Sequence, residues 1–344
     1  MILFDGIVFS LQPYGGISTL FTEILSRLPT SSYELLGFRQ SPPPTLASAS
    51  YAHQRPRFLE RYRRARVEHG ADIFHSTYYR LPDSGDSKIV TTVYDFVYER
   101  FAPVHRRAVH GFQKRKAIAR SDKLICISES TRRDLIAFSG SSLGDRAVVI
   151  PLGVSEEFHP VAHVEVRPQV LFVGIRGAYK NFAAVVDAIS GLRDVDLVCV
   201  GGGEFARSEI DMMERRIPGR YRSSGYLSTA ALNLEYNRSL CLAYPSLYEG
   251  FGIPILEAMR AGCPVVAVNR SSVPEVAGDA ALLLQRGDAD EIRTAIQSIM
   301  VSSTRNDLVR RGRARAAKFG WDETVKKTIA VYEELTGSRV WTAS

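Results

Sequence analysis

Residues 245–278 read PSLYEGFGIPILEAMRAGCPVVAVNRSSVPEVAG. An apolar run ending at Tyr244 feeds a loop with glycines at 250 and 252. Pro254 then stands where a helix begins, a position at which its missing N–H costs nothing. Glycines here let the backbone approach a ligand, and a helix start presents N–H groups and a positive dipole end that hold phosphate. Two carboxylates, Glu249 and Glu257, lie eight positions apart across this turn. Glu249 falls on the loop and Glu257 just past the first helical turn. Acids on both sides of a phosphate-ready helix end suit a ligand with hydroxyls flanking a diphosphate. Each glutamate taken alone reads equally well as an ordinary helix-start residue.

Outward from this stretch, short apolar runs alternate with helix-length amphipathic segments. In the first half the pattern predicts strands at 2–4, 33–38, 73–75, 88–93, 123–127 and 147–150, with helices at 17–28, 57–69, 104–120 and 129–138. In the second half it predicts strands at 169–173, 196–200, 240–243, 264–268 and 281–284, with helices at 180–190, 205–215, 230–237, 254–261 and 290–301. Such alternation argues for parallel sheets covered on both faces, here in two doubly wound α/β domains. A chain of 344 residues exceeds the size at which one core stops growing. The segment HPVAHVEVRPQ, residues 159–169, with two prolines and no helical period, reads as the linker. The periodicity of Trp321, Val325, Ile329 and Tyr332 predicts a final helix.

Composition narrows the class. With 45% hydrophobic and 24% charged residues the chain is an ordinary globular protein, and no run reaches membrane-span length. MILFDGIVFS reads as a first strand and not as a signal peptide. Cys126, Cys199, Cys241 and Cys263 lie singly in apolar contexts, as reduced core residues of a cytoplasmic protein do. The net charge of +7 concentrates in the first 160 residues, which carry +5. Its densest runs are RPRFLERYRRAR (Arg55–Arg66) and HRRAVHGFQKRK (His105–Lys116). Interleaved with Phe58, Leu59, Tyr62 and Phe112, they suit an anionic membrane surface or acceptor, and equally a solvated helix face. No nucleic-acid motif accompanies them.

The run from Tyr244 to Gly278 resembles the E-x7-E segment of family 4 retaining glycosyltransferases. The resemblance implies the GT-B fold: two Rossmann-like domains facing each other across a cleft, with the last helix returning to the first domain. On that basis residues 1–160 with the tail 321–344 are expected to bind the acceptor, and residues 165–320 the nucleotide-sugar. The family's roles, carried onto matching positions, place Glu257 on the ribose and Glu249 near the donor sugar. Gly250, Phe251, Gly252 and Ile253 lie along the diphosphate. FVGIRGAYKNF, residues 172–182, resembles the family's basic pair, with Arg176 and Lys180 after Gly174; cations there hold a departing diphosphate. Its YKN string is most similar to mannosyltransferases, which points to GDP-mannose as donor. Gly225, Tyr226 and Leu227 are similar to the stretch beside the base.

On the acceptor side, Gly15 and Gly16 resemble the glycine-rich loop of the family and read equally as a tight turn. TTVYDF has Tyr94-Asp95 where many relatives have His-Asp, so Asp95 stays a candidate for the acceptor proton while a histidine role is lost. His75 ends a neighbouring strand, a place where a lone histidine is commonly structural. Ser128 reads as a helix cap. VGGGEFA lacks the acid that nicotinamide binding wants, and Asp194, Asp196, Asp288 and Asp290 read as strand-start or capping acids and not metal ligands. The expectation is a metal-independent retaining hexosyltransferase without cofactor. Its acceptor is a glycan or polyprenyl-linked oligosaccharide in cell-surface polysaccharide synthesis, met at the inner face of the cytoplasmic membrane. A UDP-sugar transferase, a nucleotide-sugar epimerase and a silent nucleotide-binding homologue are the rival readings.

Overall fold

The structure is a computed structural model that describes residues 1–12, 15–101 and 104–338, with backbone alone for 104–110. The chain forms two compact units, residues 1–153 with 321–344 and residues 154–320. No helix among the described residues is long and apolar enough to cross a membrane.

The first unit holds β1 (Ile2–Asp5), α1 (Ile7–Leu11), α2 (Gly16–Arg27), β2 (Tyr33–Gly37), β3 (Tyr51–His53), β4 (Ile73–Ser76), β5 (Lys88–Val93), α3 (Val97–Phe101), α4 (Val104–Arg120), β6 (Lys123–Cys126), α5 (Glu129–Ser139) and β7 (Ala147–Val149). Its strands pair in parallel in the order β3-β2-β1-β4-β5-β6-β7. The central strands are buried along their length, as ILFD and IFHS show, because helices cover a parallel sheet on both faces. The second unit holds β8 (Gln169–Val173), α6 (Phe182–Ser190), β9 (Asp196–Val200), α7 (Arg207–Arg216), β10 (Tyr221–Ser223), α8 (Thr229–Arg238), β11 (Cys241–Tyr244), α9 (Ile253–Ala261), β12 (Val265–Val268), α10 (Val273–Ala277), β13 (Leu282–Leu284), α11 (Ala289–Ile299) and α12 (Ser302–Ala316). Its parallel order is β10-β9-β8-β11-β12-β13, around a core that includes Val170, Phe172, Val186, Leu197 and Ile296.

The last helix, α13 (Trp321–Thr336), belongs to the first unit. Trp321, Val325 and Tyr332 are buried, and the Thr324 hydroxyl donates to the Pro151 carbonyl at 2.8 Å. At Gly153 a side chain would meet the Trp321 backbone nitrogen at 2.5 Å, so a glycine there permits the close approach.

Three expectations are corrected. Residues 57–69 are not a helix: only Glu60–Tyr62 make one 3-10 turn. The carbonyls a helix would have used accept from arginines instead, Phe58 from Arg63 at 2.9 Å and Arg64 from Arg57 at 2.6 Å. Residues 159–169 are not a free linker either, and the division between units falls at Gly153. Asn233 and Asn237 of α8 accept from the His159 and Val161 amides at 3.1 and 2.7 Å, strapping the segment to the second unit. The N-terminal apolar stretch is β1 followed by the short α1, not one strand. The second basic run lies on α4 as expected, although its residues 105–110 have side chains outside the described residues.

Candidate active site

Open parallel sheets bind ligands beyond the carboxyl ends of their strands, where the strand order reverses. In the second unit that point lies between β8 and β11, and the loops leaving these two strands carry the basic segment and the first glutamate. They meet there. The Lys180 ammonium donates to Glu249 Oε1 at 2.5 Å, with both side chains about nine-tenths buried. The Leu247 amide donates to the Tyr179 carbonyl at 2.8 Å, joining the two loops by backbone as well. Lys180 also lies 5.1 Å from the Tyr244 ring centroid.

The loop from Glu249 is clamped from the next turn. Ser271 Oγ accepts from the Glu249 amide at 2.8 Å, and the Ser272 hydroxyl donates to the carbonyls of Glu249 and Phe251 at 3.0 and 2.8 Å. Gly252 then adopts φ 106°, a conformation only glycine holds without strain, and turns the chain into α9. Pro254 sits in the first turn, and no side chain caps this end. The start of α9, with its positive dipole end, thus follows the strand edge that also carries Lys180; a helix end of this kind suits an anion.

Glu257, one turn further on, is partly buried and accepts from the Tyr236 hydroxyl at 2.8 Å. Burial pushes its carboxyl up to about 7, against the lowering effect of that hydrogen bond. Tyr236 itself is fully buried on α8. A carboxylate held by one hydroxyl and ionising near neutrality has lone pairs left for a diol.

Arg176 is engaged by the loop after β9. Its guanidinium binds Glu209 at 3.1 Å and donates to the carbonyls of Gly201, Gly203 and Glu204 at 3.1, 3.0 and 2.8 Å. It also packs 4.7 Å from the Phe205 ring centroid. Gly201, Gly202 and Gly203 all adopt φ 74°, so Arg176 is what secures a loop of three left-handed residues after β9. The Gly201 amide reaches the Gly225 carbonyl at 2.7 Å. That contact brings the Gly225–Tyr226–Leu227 stretch to the same edge, with Tyr226 largely exposed. Gly174 ends β8 with φ 112° and donates to the Val200 carbonyl at 2.9 Å. Asp288 caps α11 through the Glu291 amide at 2.9 Å, as the capping reading expects.

In the first unit the acceptor-side residues divide. Gly15 caps α2 and Gly16 begins it, both exposed. Asp95 Oδ1 accepts from the Val97 amide at 3.0 Å, starting α3, and stays partly exposed at the end of β5. Ser128 caps α5 through the Thr131 amide at 3.0 Å. His75 and Tyr94 are corrected to core residues. Both His75 ring nitrogens are bound, to the Tyr332 hydroxyl at 2.6 Å and the Thr92 hydroxyl at 2.9 Å. Burial drives its pKa down to about 3. Tyr94 is buried and donates to the Thr77 carbonyl at 2.8 Å.

Four residues that shape the site, Ser271, Ser272, Tyr236 and Tyr244, were not foreseen. The serines stand within the opening stretch of sequence, before a proline-started helix, and that spacing was their only signal. Tyr244 ends the apolar run before that stretch, with nothing to mark its ring as a neighbour of Lys180, and Tyr236, on α8, gave no signal.

Comparisons with known proteins agree with this geometry. Residues 14–158 match the family model described as Glycosyltransferase Family 4, and residues 154–315 match the one described as Glycosyl transferases group 1. An O-antigen chain mannosyltransferase B of Escherichia coli is 29% identical over 76% of this chain and 74% of its own. An MMP alpha-(1->4)-mannosyltransferase of Mycolicibacterium hassiacum is 30% identical over 67% of this chain, which spans 59% of that protein. Sucrose-phosphate synthase from Thermosynechococcus elongatus superposes with a TM-score of 0.79, covering 98% of this chain and 99% of that one at 17% identity. Sheet topology, the Glu249–Lys180 edge and these matches lead to one assignment: the chain belongs to the family 4 glycosyltransferases, which have the GT-B fold.

Proposed function

We propose that this glycosyltransferase moves mannose from GDP-mannose, with retention at the anomeric carbon and without a metal ion. Its acceptor is a hydroxyl of a glycan or polyprenyl-linked oligosaccharide in cell-surface polysaccharide synthesis, and it works at the inner face of the cytoplasmic membrane. The observation that carries the reading is the Lys180–Glu249 pair at the uncapped start of α9, with Glu257 a turn behind. Lys180 exchanges Glu249 for the diphosphate, which the α9 amides also hold. Glu249, released, accepts from donor-sugar hydroxyls, and Glu257 accepts from the ribose. Arg176 keeps the 201–204 loop in place beside the diphosphate. Gly225, Tyr226 and Leu227 flank the base. Asp95 orients the acceptor hydroxyl from the first unit. The names of the mannosyltransferase relatives support mannose as the transferred sugar.

The test is a melting experiment with GDP-mannose, UDP-glucose and ADP-glucose, followed by NMR of the product formed in EDTA. Stabilisation by GDP-mannose and an α-linked product are expected. Stabilisation by UDP-glucose alone overturns the donor, a β-linked product overturns retention, and loss of turnover in EDTA overturns metal independence. Conversion of the donor without an acceptor would make the protein an epimerase.

A further inference from the structure

Residues 55–66 hold six arginines and a single carboxylate, Glu60, and the first unit builds them into a pedestal and not a helix. Glu60 is buried and accepts from the Arg57 amide at 2.8 Å, from Arg57 Nε at 2.9 Å and from Arg80 Nη2 at 3.0 Å. Arg80 is itself fully buried, pairs with Asp5 at the end of β1 at 3.4 Å, and donates to the Arg63 carbonyl at 3.1 Å. Ala65 bridges to the 81–83 backbone on both sides, at 2.9 Å each. From α4, the Gln113 amide nitrogen donates to the Arg61 carbonyl at 2.8 Å. The base of the loop is thus held from the end of β1, the 80–83 segment and α4 together.

What this base carries is apolar. Phe58 is 82% exposed, Leu59 56% and Tyr62 48%, and Phe112 on α4 beside Gln113 is 65% exposed. Leu59 adopts φ 56°, in the left-handed region, which costs a branched residue roughly 1–2 kcal/mol. A fold that strains a leucine to hold it in water, next to an open phenylalanine, is presenting a contact surface. Around these side chains stand the exposed Arg55, Arg63, Arg64, Arg115 and Lys116. Phe112, Arg115 and Lys116 share one stripe of α4 by their spacing.

We propose that the 57–63 loop, with Phe112, is a rigid wedge that inserts Phe58 and Leu59 into the headgroup region of an anionic bilayer while the arginine and lysine collar meets lipid phosphates. Aromatic and apolar tips ringed by a strong excess of positive charge match such a surface; five exposed cations against the exposed Asp83 favour lipid phosphates over a protein partner of mixed charge. The inference names the contacting surface for the membrane placement proposed above and rests on that placement.

The experiment is sedimentation of the full chain with vesicles of phosphatidylcholine, with or without a third phosphatidylglycerol, at low and high salt. Wild type is expected to bind the anionic vesicles only and to release in salt. Phe58→Ser/Leu59→Ser should weaken binding at least tenfold with an unchanged melting temperature. Arg55→Gln/Lys116→Gln should weaken it roughly thirtyfold at low salt, at about 1 kcal/mol for each charge. Emission from a Phe58→Trp variant should shift to the blue on adding anionic vesicles, read as a difference from wild type. Anionic binding that survives Phe58→Ser/Leu59→Ser undiminished, with no blue shift, sinks the wedge and leaves the membrane placement standing. Failure of wild type to bind any vesicle, or equal binding to neutral ones, sinks both.

Discussion

At the residue scale the proposed donor site turns on a few polar pairs. Lys180 is paired with Glu249, so under the proposed function its charge serves the diphosphate when that anion replaces the carboxylate. Lys180→Ala should lower kcat by about two to three orders of magnitude, the scale of losing one preorganised donor at a developing anion. Steady-state kinetics check this, and an unchanged kcat would remove Lys180 from the reaction. Burial raises the Glu257 pKa to about 7, and its ionised form makes the stronger hydrogen bonds with hydroxyl donors. GDP affinity should therefore fall as pH drops below about 7 and level off above it. Tyr236→Phe removes the hydrogen bond that lowers this pKa, so its titration should move to higher pH in calorimetric binding curves. Arg176 has four carbonyl partners in the loop after β9 and pairs with Glu209 on α7. Arg176→Ala should lower the melting temperature of the ligand-free protein as well as turnover, whereas a residue reserved for the diphosphate would lower turnover alone.

Elements place these residues by how strands end and helices begin. Lys180, Glu249, Glu257 and the 225–227 stretch lie on turns beyond a strand's carboxyl end or in the first turns of the following helix. Gly252 decides whether α9 points its amides at that edge. Gly252→Ala would put a side chain at φ 106°, 3.2 Å from Ile255 Cδ1. It should destabilise the second unit by roughly 1–2 kcal/mol and weaken GDP binding more than tenfold. Urea unfolding and binding isotherms together check this; a destabilised variant with intact GDP affinity would separate α9 from the phosphate. The 55–66 segment teaches the opposite lesson about elements. It has helical periodicity and no helix, because Glu60, Arg80 and Ala65 draw its backbone into other pairings.

For the whole molecule, the sixteen residues of α13 are structural to the first unit. Tyr332 of α13 packs against His75 and Phe4, with their ring centroids at 5.7 and 6.3 Å from its own. His75 stays neutral in the native state, its pKa depressed to about 3 by burial, while the unfolded chain takes up a proton near the ordinary value. Its contribution is thus complete above about 6.5 and is lost as pH falls toward 3, at roughly 1.4 kcal/mol per pH unit. Glu257 slopes the other way between about 4.5 and 7, since its native form keeps the proton longer. The difference between wild type and His75→Gln isolates the histidine. Urea-derived stability of the variant should lose that part of the acid dependence; parallel curves would place the burden elsewhere.

The two doubly wound units, most strand positions and the α9 start were all legible in the amino-acid order. They depend on local chemistry: apolar runs, glycine and proline at turns, and spacing along one helix. The tertiary structure alone decided which partners those residues take. It gave Lys180 to Glu249, Arg176 to a loop 25 residues further on, Tyr236 to Glu257, and His75 to a helix 257 residues away. It also turned a helical charge pattern into a pedestal and strapped an apparent linker to α8. The reason is physical. Hydrogen-bonding capacity and charge are properties of a residue, but the groups that satisfy them inside a fold come from whichever strands and helices pack alongside, and no spacing along the chain encodes that.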